Sequence, residues 1–435
     1  MIVNTIKTLT KDSIIYGLSQ FIGRGIDFLM LPFLTRIFTP EDFGFLELLL
    51  STIIFLNIII LMGTNTAFFF YYHKKPIDSN PMLQRRLFQG MILWNIVGGV
   101  LIFILLIGIL HSTRSIYLHE IKGLALFSII GYAMLRMLDE RFLELFRILG
   151  KPFYFFLTRV SLSVLTAIAI LALYNSDTQN VENYFQYLFI ALLVIFTFDL
   201  FLAGNNVDFT SKGFRESIKH WPLLLKFGVI VFPGAIAMII HNLSDRWMLE
   251  HYNFRFELGL YAIAAKFGAI MNLVVSIFTL SFQPISMKII HDDDRHKISY
   301  TLDLLLRYYL LLFGIGSLTL TLLSPFLLNF IAPQIYSPSI TAIPLLTFAA
   351  VMFGVTYFTS LGTWKKNKAI RFTFVLILSA LINILLNIFI IPLHGMKGAA
   401  VSTAFSMTIL VIFSFIISQS TYKLTFSSFR IFSMV

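Results

Sequence analysis

Apolar runs of about 20 residues or more follow one another along almost the whole chain, and no other feature limits the fold as strongly. A helical bilayer crossing needs about 20 mainly apolar residues, and a chain built from such crossings leaves no backbone group unpaired in lipid. The pattern predicts an all-α, polytopic membrane protein. Twelve transmembrane helices are predicted, over residues 14–38, 43–71, 87–110, 121–146, 153–174, 183–204, 223–249, 258–287, 300–329, 340–364, 372–392 and 398–419.

The composition argues against a water-soluble enzyme. Hydrophobic residues make up 57% of the 435 residues and charged residues only 13%, about half of the share in soluble domains. The sequence has no cysteine, which excludes disulfides and thiolate metal ligands, and it has no phosphate-binding loop pattern. We therefore expect no enzymatic activity, no cofactor and no bound metal.

Lys and Arg residues are distributed unequally over the segments between the predicted helices. One alternating set of segments, which includes both chain ends, holds 20 of the 33, and the other set holds only Arg114, Arg255 and Lys397. Because positive segments stay on the cytoplasmic side, both termini are predicted to be cytoplasmic. The net charge of +11 is thus attributed to topology, and no nucleic-acid partner is expected.

The other ten Lys and Arg residues lie within the predicted spans, where an ionised group costs roughly 3 kcal/mol or more unless it meets water or a partner. We therefore expect a polar interior between the helices. Several of these cations are spaced to pair with an acid on their own helix, so a purely structural role stays open for them. Arg159, Lys226 and Lys266 have no acid within four residues on their own helix, which makes them better candidates for ligand contact. The ten are Arg24, Arg36, Lys122, Arg136, Arg141, Arg159, Lys226, Arg246, Lys266 and Arg307.

A weak internal repeat divides the sequence into halves. An acidic residue, any residue and a glycine open the second helix of each half, at Asp42–Gly44 and Glu257–Gly259. Their offset is 215 positions, and that between Lys151 and Lys368, each before the fifth helix of its half, is 217, so both are close to half of the chain length. We therefore predict two six-helix lobes that are joined by a polar loop between residues 205 and 222. The predicted lobes are residues 1–210 and 211–435.

Four stretches, at residues 16–44, 150–152, 244–266 and 383–400, occur in an order that is typical of one family. They contain YGLSQ, LPFLTR and TPEDFG, then GKP, then SDRW and GLY, and finally IP and GMKGAA. Together they resemble the signature of the polysaccharide repeat-unit (O-antigen type) flippases of the multidrug, oligosaccharidyl-lipid and polysaccharide exporter superfamily. The resemblance covers nearly the whole chain.

This resemblance implies a V-shaped pair of six-helix lobes, related by a pseudo-two-fold axis, with a central cationic cavity. It implies a flippase that moves undecaprenyl-diphosphate-linked oligosaccharide from the cytoplasmic to the outer leaflet by alternating access. The expected setting is surface polysaccharide synthesis (O-antigen of lipopolysaccharide, capsule or exopolysaccharide) in the bacterial inner membrane. A lipid-linked oligosaccharide is the implied substrate, and a polysaccharide polymerase and a chain-length regulator are the implied partners.

The resemblance also implies roles for charged residues in the predicted spans. Arg24 and Arg246, in the first helix of each lobe, are expected to clamp the diphosphate. Arg159, Lys226 and Lys266 are expected to raise the positive potential of the cavity, because cations can replace the hydration of a diphosphate.

Acidic and amide side chains complete the expected site. Asp27, Glu47 and Asp245 are candidates to bind a proton or a cation when the substrate leaves. Amides that recur at helical spacing mark helix faces directed to a polar interior, and they are the candidates for sugar contacts. These are Asn272, Gln283, Asn383 and Asn387.

Two related functions stay open. A cation-coupled multidrug and toxin extrusion antiporter has the same helix plan, but it binds organic cations and would need an acidic cavity, whereas ten cations and eight acids lie in the predicted spans. Lipid II flippases that resemble this family usually carry two more helices after the twelfth. Both comparisons favour a polysaccharide precursor as the expected substrate.

Overall fold

The computed structural model describes residues 2–75, 77–78, 80–113, 123–206, 211–290, 295–366, 368 and 370–423. All regular secondary structure within these ranges is helical, which confirms the all-α prediction for this part of the chain. Two 3₁₀ helices, Gly204–Asn206 and Gln334–Thr341, accompany the α-helices. The α-helices are α1 Ile2–Leu29, α2 Leu31–Ile37, α3 Pro40–Leu61, α4 Thr64–Tyr72, α5 Pro81–Thr113, α6 Leu124–Ile148, α7 Pro152–Tyr174, α8 Val181–Ala203, α9 Ser211–Ile218, α10 Trp221–His251, α11 Arg255–Ile290, α12 Arg295–Ile331, α13 Ile343–Thr359, α14 Leu361–Lys365 and α15 Ile370–Thr421.

Eight helical segments within the described ranges are long and apolar enough to cross a membrane, so the predicted number of twelve is not confirmed. One reason is that α15 contains two predicted spans, 372–392 and 398–419, which are separated by non-helical backbone at Gly395. A second reason is that α6 carries six charged residues in its second half and is not among the eight. The charged residues that were predicted to line a polar interior therefore shorten the apolar stretch of α6.

Two predicted spans are interrupted where the backbone bends. Residues 14–38 are divided between α1 and α2, and residues 43–71 are divided between α3 and α4 at Met62 and Gly63. Gly63 has a φ of 72°, and a Cβ at this position would lie 2.5 Å from the carbonyl oxygen of Gly228 in α10. A side chain at Gly63 is therefore disfavoured both by the backbone conformation and by the close contact.

The chain groups into two compact units, and α3 and α10 each contribute to both of them. One unit comprises Met1–Phe38 and Leu49–Ile236, and the other comprises Thr39–Leu48 and Ala237–Val435. We call them the first and the second unit. The lobe boundary between residues 210 and 211 stays a prediction.

The glycines of the internal repeat explain why the start of α3 belongs to the second unit. Gly44 and Gly259 pack directly against each other, since a Cβ at Gly44 would lie 3.0 Å from the backbone nitrogen of Gly259. A Cβ at Gly259 would in turn collide with the carbonyl oxygen of Pro40. The absence of side chains thus lets the first turns of α3 and α11 approach closely, and this contact sets the register of the side chains that follow.

The polar segment between residues 205 and 222 is partly helical, which corrects the prediction of a loop. Its described part contains α9, and α10 already begins at Trp221. The indole nitrogen of Trp221 donates a hydrogen bond to the carbonyl oxygen of Gly90 at 2.8 Å. This bond attaches the start of α10 to α5 within the first unit.

Candidate functional site

Within the second unit, Glu47 in α3 has two cationic partners, which come from α10 and α11. Lys266 Nζ donates to Glu47 Oε1, and Arg246 Nε lies 3.7 Å from Glu47 Oε2. The Glu47 side chain is 8% exposed, whereas that of Lys266 is 35% exposed. Two cations therefore share one buried carboxylate, which leaves a net positive charge with access to the surroundings through Lys266. We call these three residues the Glu47 triad.

The register set by the paired glycines brings the Glu47 triad together. Glu47 follows Gly44 by one helical turn, and Lys266 follows Gly259 by two turns, so each lies on the face of the close contact. Arg246 is held separately: its Nη1 donates to the carbonyl oxygen of Asn242 at 2.9 Å. The sequence predicts Arg246 and Lys266 as candidate anion ligands. The structure places both beside Glu47, which is a candidate to bind a proton or a cation.

Asp245 is adjacent to Arg246 in sequence, but its carboxyl group accepts hydrogen bonds from a different set of side chains. Its Oδ2 accepts hydrogen bonds from the hydroxyls of Tyr261 and Thr403, the latter at 2.8 Å, and its Oδ1 accepts one from Asn387 Nδ2 at 2.8 Å. The carboxyl is almost fully buried, and its hydrogen-bond donors among the described residues are all uncharged. Asp245 is thus stabilised by dipoles, and it is a separate polar centre within the second unit.

The two asparagines predicted to contact sugar on the eleventh span are part of this buried network. Asn383 and Asn387 are completely buried; Asn383 accepts from Ser244 Oγ at 2.8 Å and donates to Ser406 Oγ at 3.0 Å. Their helical spacing was recognised correctly, but the stripe faces neighbouring helices of the same unit. Their predicted contacts with sugar stay predictions.

Replacing Tyr261 by phenylalanine is expected to lower the stability of the second unit by about 1 to 2 kcal/mol, because a buried carboxyl loses one of its donors. Thr403 and Asn387 remain bound to Asp245, which limits the loss. The thermal unfolding midpoint of the detergent-solubilised protein measures it. Tyr300→Phe is the matched control, since Tyr300 is largely exposed. Equal midpoints for the two variants would show that the Tyr261 hydroxyl does not support Asp245.

The first unit holds a second set of charges, on α1, α6 and α7. Arg136 Nη2 and Arg159 Nη1 both contact Glu140 Oε1, at 2.9 Å and 3.4 Å. This unit therefore also places two cations on one carboxylate. Arg159 is paired with an acid on another helix. The absence of an acid on its own helix, which made Arg159 a candidate, therefore did not mean that it was unpaired.

Arg24 lies at the exposed edge of this set of charges. It is close enough to Arg159 for repulsion and to Asp27 for attraction, and both Arg24 and Asp27 are exposed. The approach of α1 to α7 is close because Gly23 faces Ser163, whose Oγ would lie 3.1 Å from a Cβ at Gly23. The structure thus brings together Arg24, Asp27 and Arg159, which are all predicted site residues. Arg24 is the more accessible of the two cations.

Three other predicted site residues stand apart from these groups. Lys226 in α10 is exposed, and no ion pair with it occurs among the described residues. Asn272 and Gln283 in α11 are exposed as well. Their predicted contacts with diphosphate and sugar stay predictions.

Glu140, Tyr261 and Thr403 hold candidate residues in place, and sequence analysis assigned no site role to any of them. Arg136 and Glu140 are four residues apart, a spacing that allows a pair within one helix, and this pair exists. The additional contact of Glu140 with Arg159 had no sequence signal, because it joins residues on different helices. Tyr261 lies within one of the motif stretches, whereas nothing in the sequence indicated Thr403.

A family model described as polysaccharide biosynthesis protein matches residues 9–290, which is more than half of the chain. The chain belongs to this family. It is 23% identical over 281 residues to Lsg locus putative protein 1 of Haemophilus influenzae, and the match covers 63% of this chain and 65% of that protein. The chain thus matches slightly less than two thirds of that relative's length. The expectation drawn from the motif stretches is confirmed at the level of the family.

Solved structures of two transporters have a similar fold. The lipid II flippase MurJ in an inward closed conformation has a TM-score of 0.68 at 16% identity, over 93% of this chain and 87% of that chain. An inward-facing multidrug resistance MATE family transporter of the MOP superfamily has a TM-score of 0.66 at 14% identity, over 93% and 94%. At such identities the likeness establishes the fold, and it does not separate a lipid-linked glycan from a drug as the cargo.

Proposed function

We propose that this protein is a flippase for lipid-linked oligosaccharide repeat units in surface polysaccharide synthesis. In this proposal it moves an undecaprenyl-diphosphate-linked oligosaccharide from the cytoplasmic to the outer leaflet by alternating access. It resides in the bacterial inner membrane with both termini in the cytoplasm, which the distribution of 20 Lys and Arg residues against three supports. A polymerase and a chain-length regulator are its proposed partners in the pathway.

The observation that carries the proposal is the Glu47 triad. Glu47 alone cannot neutralise both Arg246 and Lys266, so the triad carries one net positive charge, which a bound anion would balance during function. The cargo of this family must expose a polar group to the membrane interior when it crosses. A diphosphate fits Arg246 and Lys266, because guanidinium and ammonium groups donate charge-assisted hydrogen bonds to phosphate oxygens.

Arg24 and Arg159 are two neighbouring cations in the first unit, where acidic residues balance their charge. Their guanidinium groups lie close enough to repel each other, and an anion at the exposed edge would relieve this repulsion. We propose that they bind phosphate oxygens, and that Lys226 adds positive potential.

The acids beside these cations suggest how the cargo is released. Glu47 and Asp27 attract the same cations as a bound anion, so these cations can return to them when the cargo leaves. With Asp245, they are the positions at which we propose proton or cation coupling. Strict coupling is not required by energetics, because moving two negative charges outward through 100 mV, inside negative, is favourable by about 4 to 5 kcal/mol.

Native mass spectrometry of the protein from membranes that synthesise undecaprenyl-diphosphate glycans tests the proposal. We expect the protein to retain such a glycolipid, and Lys266→Met to lower its occupancy about tenfold, since one charge-assisted contact is lost. Lys397→Met is the control, because Lys397 is an exposed lysine whose charge the proposal does not use.

The same experiment distinguishes the alternatives. Retention of lipid II in place of the glycan carrier would identify a lipid II flippase. Binding of organic cations that depends on Asp27 or Asp245, without any bound glycolipid, would identify a multidrug antiporter. Either result would replace the proposed function.

A further inference from the structure

Two aspartates of the first unit form a completely buried pair that the proposed function does not use. Asp139 in α6 and Asp199 in α8 have no exposed surface, and their carboxyl groups interact with each other. Asp139 directly precedes Glu140 on α6, and Asp199 lies next to Thr158 of α7. Two carboxyl groups in contact within an apolar interior need a physical explanation.

Each carboxyl has one oxygen with a donor and one without. Asp139 Oδ2 accepts from Arg136 Nη1 at 3.0 Å, and Asp199 Oδ1 accepts from Thr158 Oγ1 at 2.8 Å. The other two oxygens, Asp139 Oδ1 and Asp199 Oδ2, are buried and have no hydrogen-bond donor among the described residues. Ionised carboxylates can only accept, so neither can satisfy the other unless one of them carries a proton. One proton between these two oxygens satisfies both.

The charges of the neighbouring residues also indicate that the pair holds one proton. Arg136 and Arg159 balance Asp139 and Glu140 through direct contacts, and Arg24 and Asp27 offset each other. Asp199 has no cation of its own among the residues that the structure describes, where its partners are Thr158 and Asp139. A proton removes this single excess negative charge. The titratable and charged groups around the pair are Arg136, Glu140, Tyr132 and the Arg141–Glu144 pair on α6, Arg159 on α7, and Arg24 and Asp27 on α1.

We propose that Asp139 and Asp199 form a protonation site that holds one proton between them at neutral pH. Asp199 takes up the proton from water, and its new O–H group donates to Asp139 Oδ1, while Asp139 stays ionised beside Arg136. Two carboxyl groups that are too close to ionise together share one proton for this reason.

The pair is linked to the exposed cations through a chain of contacts. Arg136 joins Asp139 to Glu140, and Glu140 contacts Arg159, which lies near Arg24. An anion bound at Arg24 and Arg159 adds negative charge to this group and therefore favours the protonated pair. By reciprocity, the protonated pair favours anion binding. This link rests on the proposed function, whereas the shared proton does not.

Infrared spectroscopy of the purified full-length protein tests the shared proton. At neutral pH we expect a carbonyl stretch of a protonated carboxylic acid that shifts in D₂O and is lost in Asp199→Asn. The asparagine amide can still accept from Thr158 and donate to Asp139, so the variant should fold. Asp177→Asn, in the exposed turn between α7 and α8, should keep the band.

A second variant keeps this test decisive if Asp199→Asn does not fold. Thr158→Val retains the acid and removes only the donor to Asp199, so the band should persist at a changed frequency. A wild-type spectrum in which no protonated-carboxyl band responds to either substitution would overturn the proposal.

Titration of the band with and without inorganic pyrophosphate tests the link to anion binding. We expect pyrophosphate to move the loss of the band to higher pH in the wild type and to have no effect in Arg24→Ala. A band that is lost in Asp199→Asn but whose titration ignores pyrophosphate would retain the shared proton and reject the link. If pyrophosphate did not bind the wild type at all, this result would contradict the proposed function. The infrared band would still show whether Asp139 and Asp199 share a proton.

Discussion

Replacing Glu47 by glutamine is expected to tighten the binding of inorganic pyrophosphate while it weakens the fold and slows transport. Glutamine preserves the shape of the side chain but removes the negative charge that Lys266 and Arg246 share. Loss of one partner from a buried ion pair costs about 3 to 5 kcal/mol, because the remaining charge stays buried without compensation. The partial exposure of Lys266 places the expected destabilisation at the lower end of this range.

Glu47→Gln is expected to change anion affinity and transport rate in opposite directions, which distinguishes it from a misfolded variant. Without Glu47, a bound anion no longer competes with an internal carboxylate, so its affinity rises and its release slows. A variant that simply misfolds would lose both binding and transport. Thermal unfolding with increasing pyrophosphate measures both quantities, since a ligand of the folded state raises the midpoint.

Glu41→Gln provides the matched control for this experiment. Glu41 lies in the first turn of the same helix and is exposed, so its substitution should change the midpoint only slightly. If Glu47→Gln had the same midpoint and the same pyrophosphate affinity as the wild type, Glu47 would not restrain the two cations.

The sequence predicted the helical class correctly and pointed to the charged residues within the apolar runs, because both are local patterns. Apolar runs need no knowledge of neighbouring helices, and intramembrane cations such as Arg246 and Lys266 stand out by composition alone. The number of spans is less certain: the described residues contain eight long apolar helical segments, and one of them, α15, holds two predicted runs on either side of a kink at Gly395. The two predicted runs, 372–392 and 398–419, end and begin on either side of this glycine.

Partners across helices were beyond the reach of sequence patterns. Glu47 and Lys266 are 219 positions apart, and no helical periodicity connects residues at that separation. The periodicity of Asn383 and Asn387 correctly gave a shared face, but it could not tell whether that face meets water or Thr403 and Ser406 of the following helical segment. The repeat at Gly44 and Gly259 was found as a pattern, whereas its physical basis, a close backbone contact, required coordinates.

Replacing Arg24 or Arg246 by alanine is expected to lower transport by about tenfold to a hundredfold in each case, because each change removes a charge-assisted contact with phosphate. Surface polysaccharide in cells that depend on the variant, at matched levels of membrane-inserted protein, measures this effect. Arg36→Ala is the control: Arg36 is exposed and its Nη1 donates to the carbonyl oxygen of Pro32 at 2.6 Å, a contact within its own helix.

Lysine at either position separates charge from geometry. Arg24→Lys and Arg246→Lys keep the positive charge but lose the planar fork that binds two phosphate oxygens, so we expect partial transport. A structural role of Arg246 through Glu47 would instead be rescued fully by lysine, since a point charge suffices for an ion pair. Normal polysaccharide in both alanine variants would remove the two arginines from the proposed site, and the positive charge of the Glu47 triad would then need another explanation.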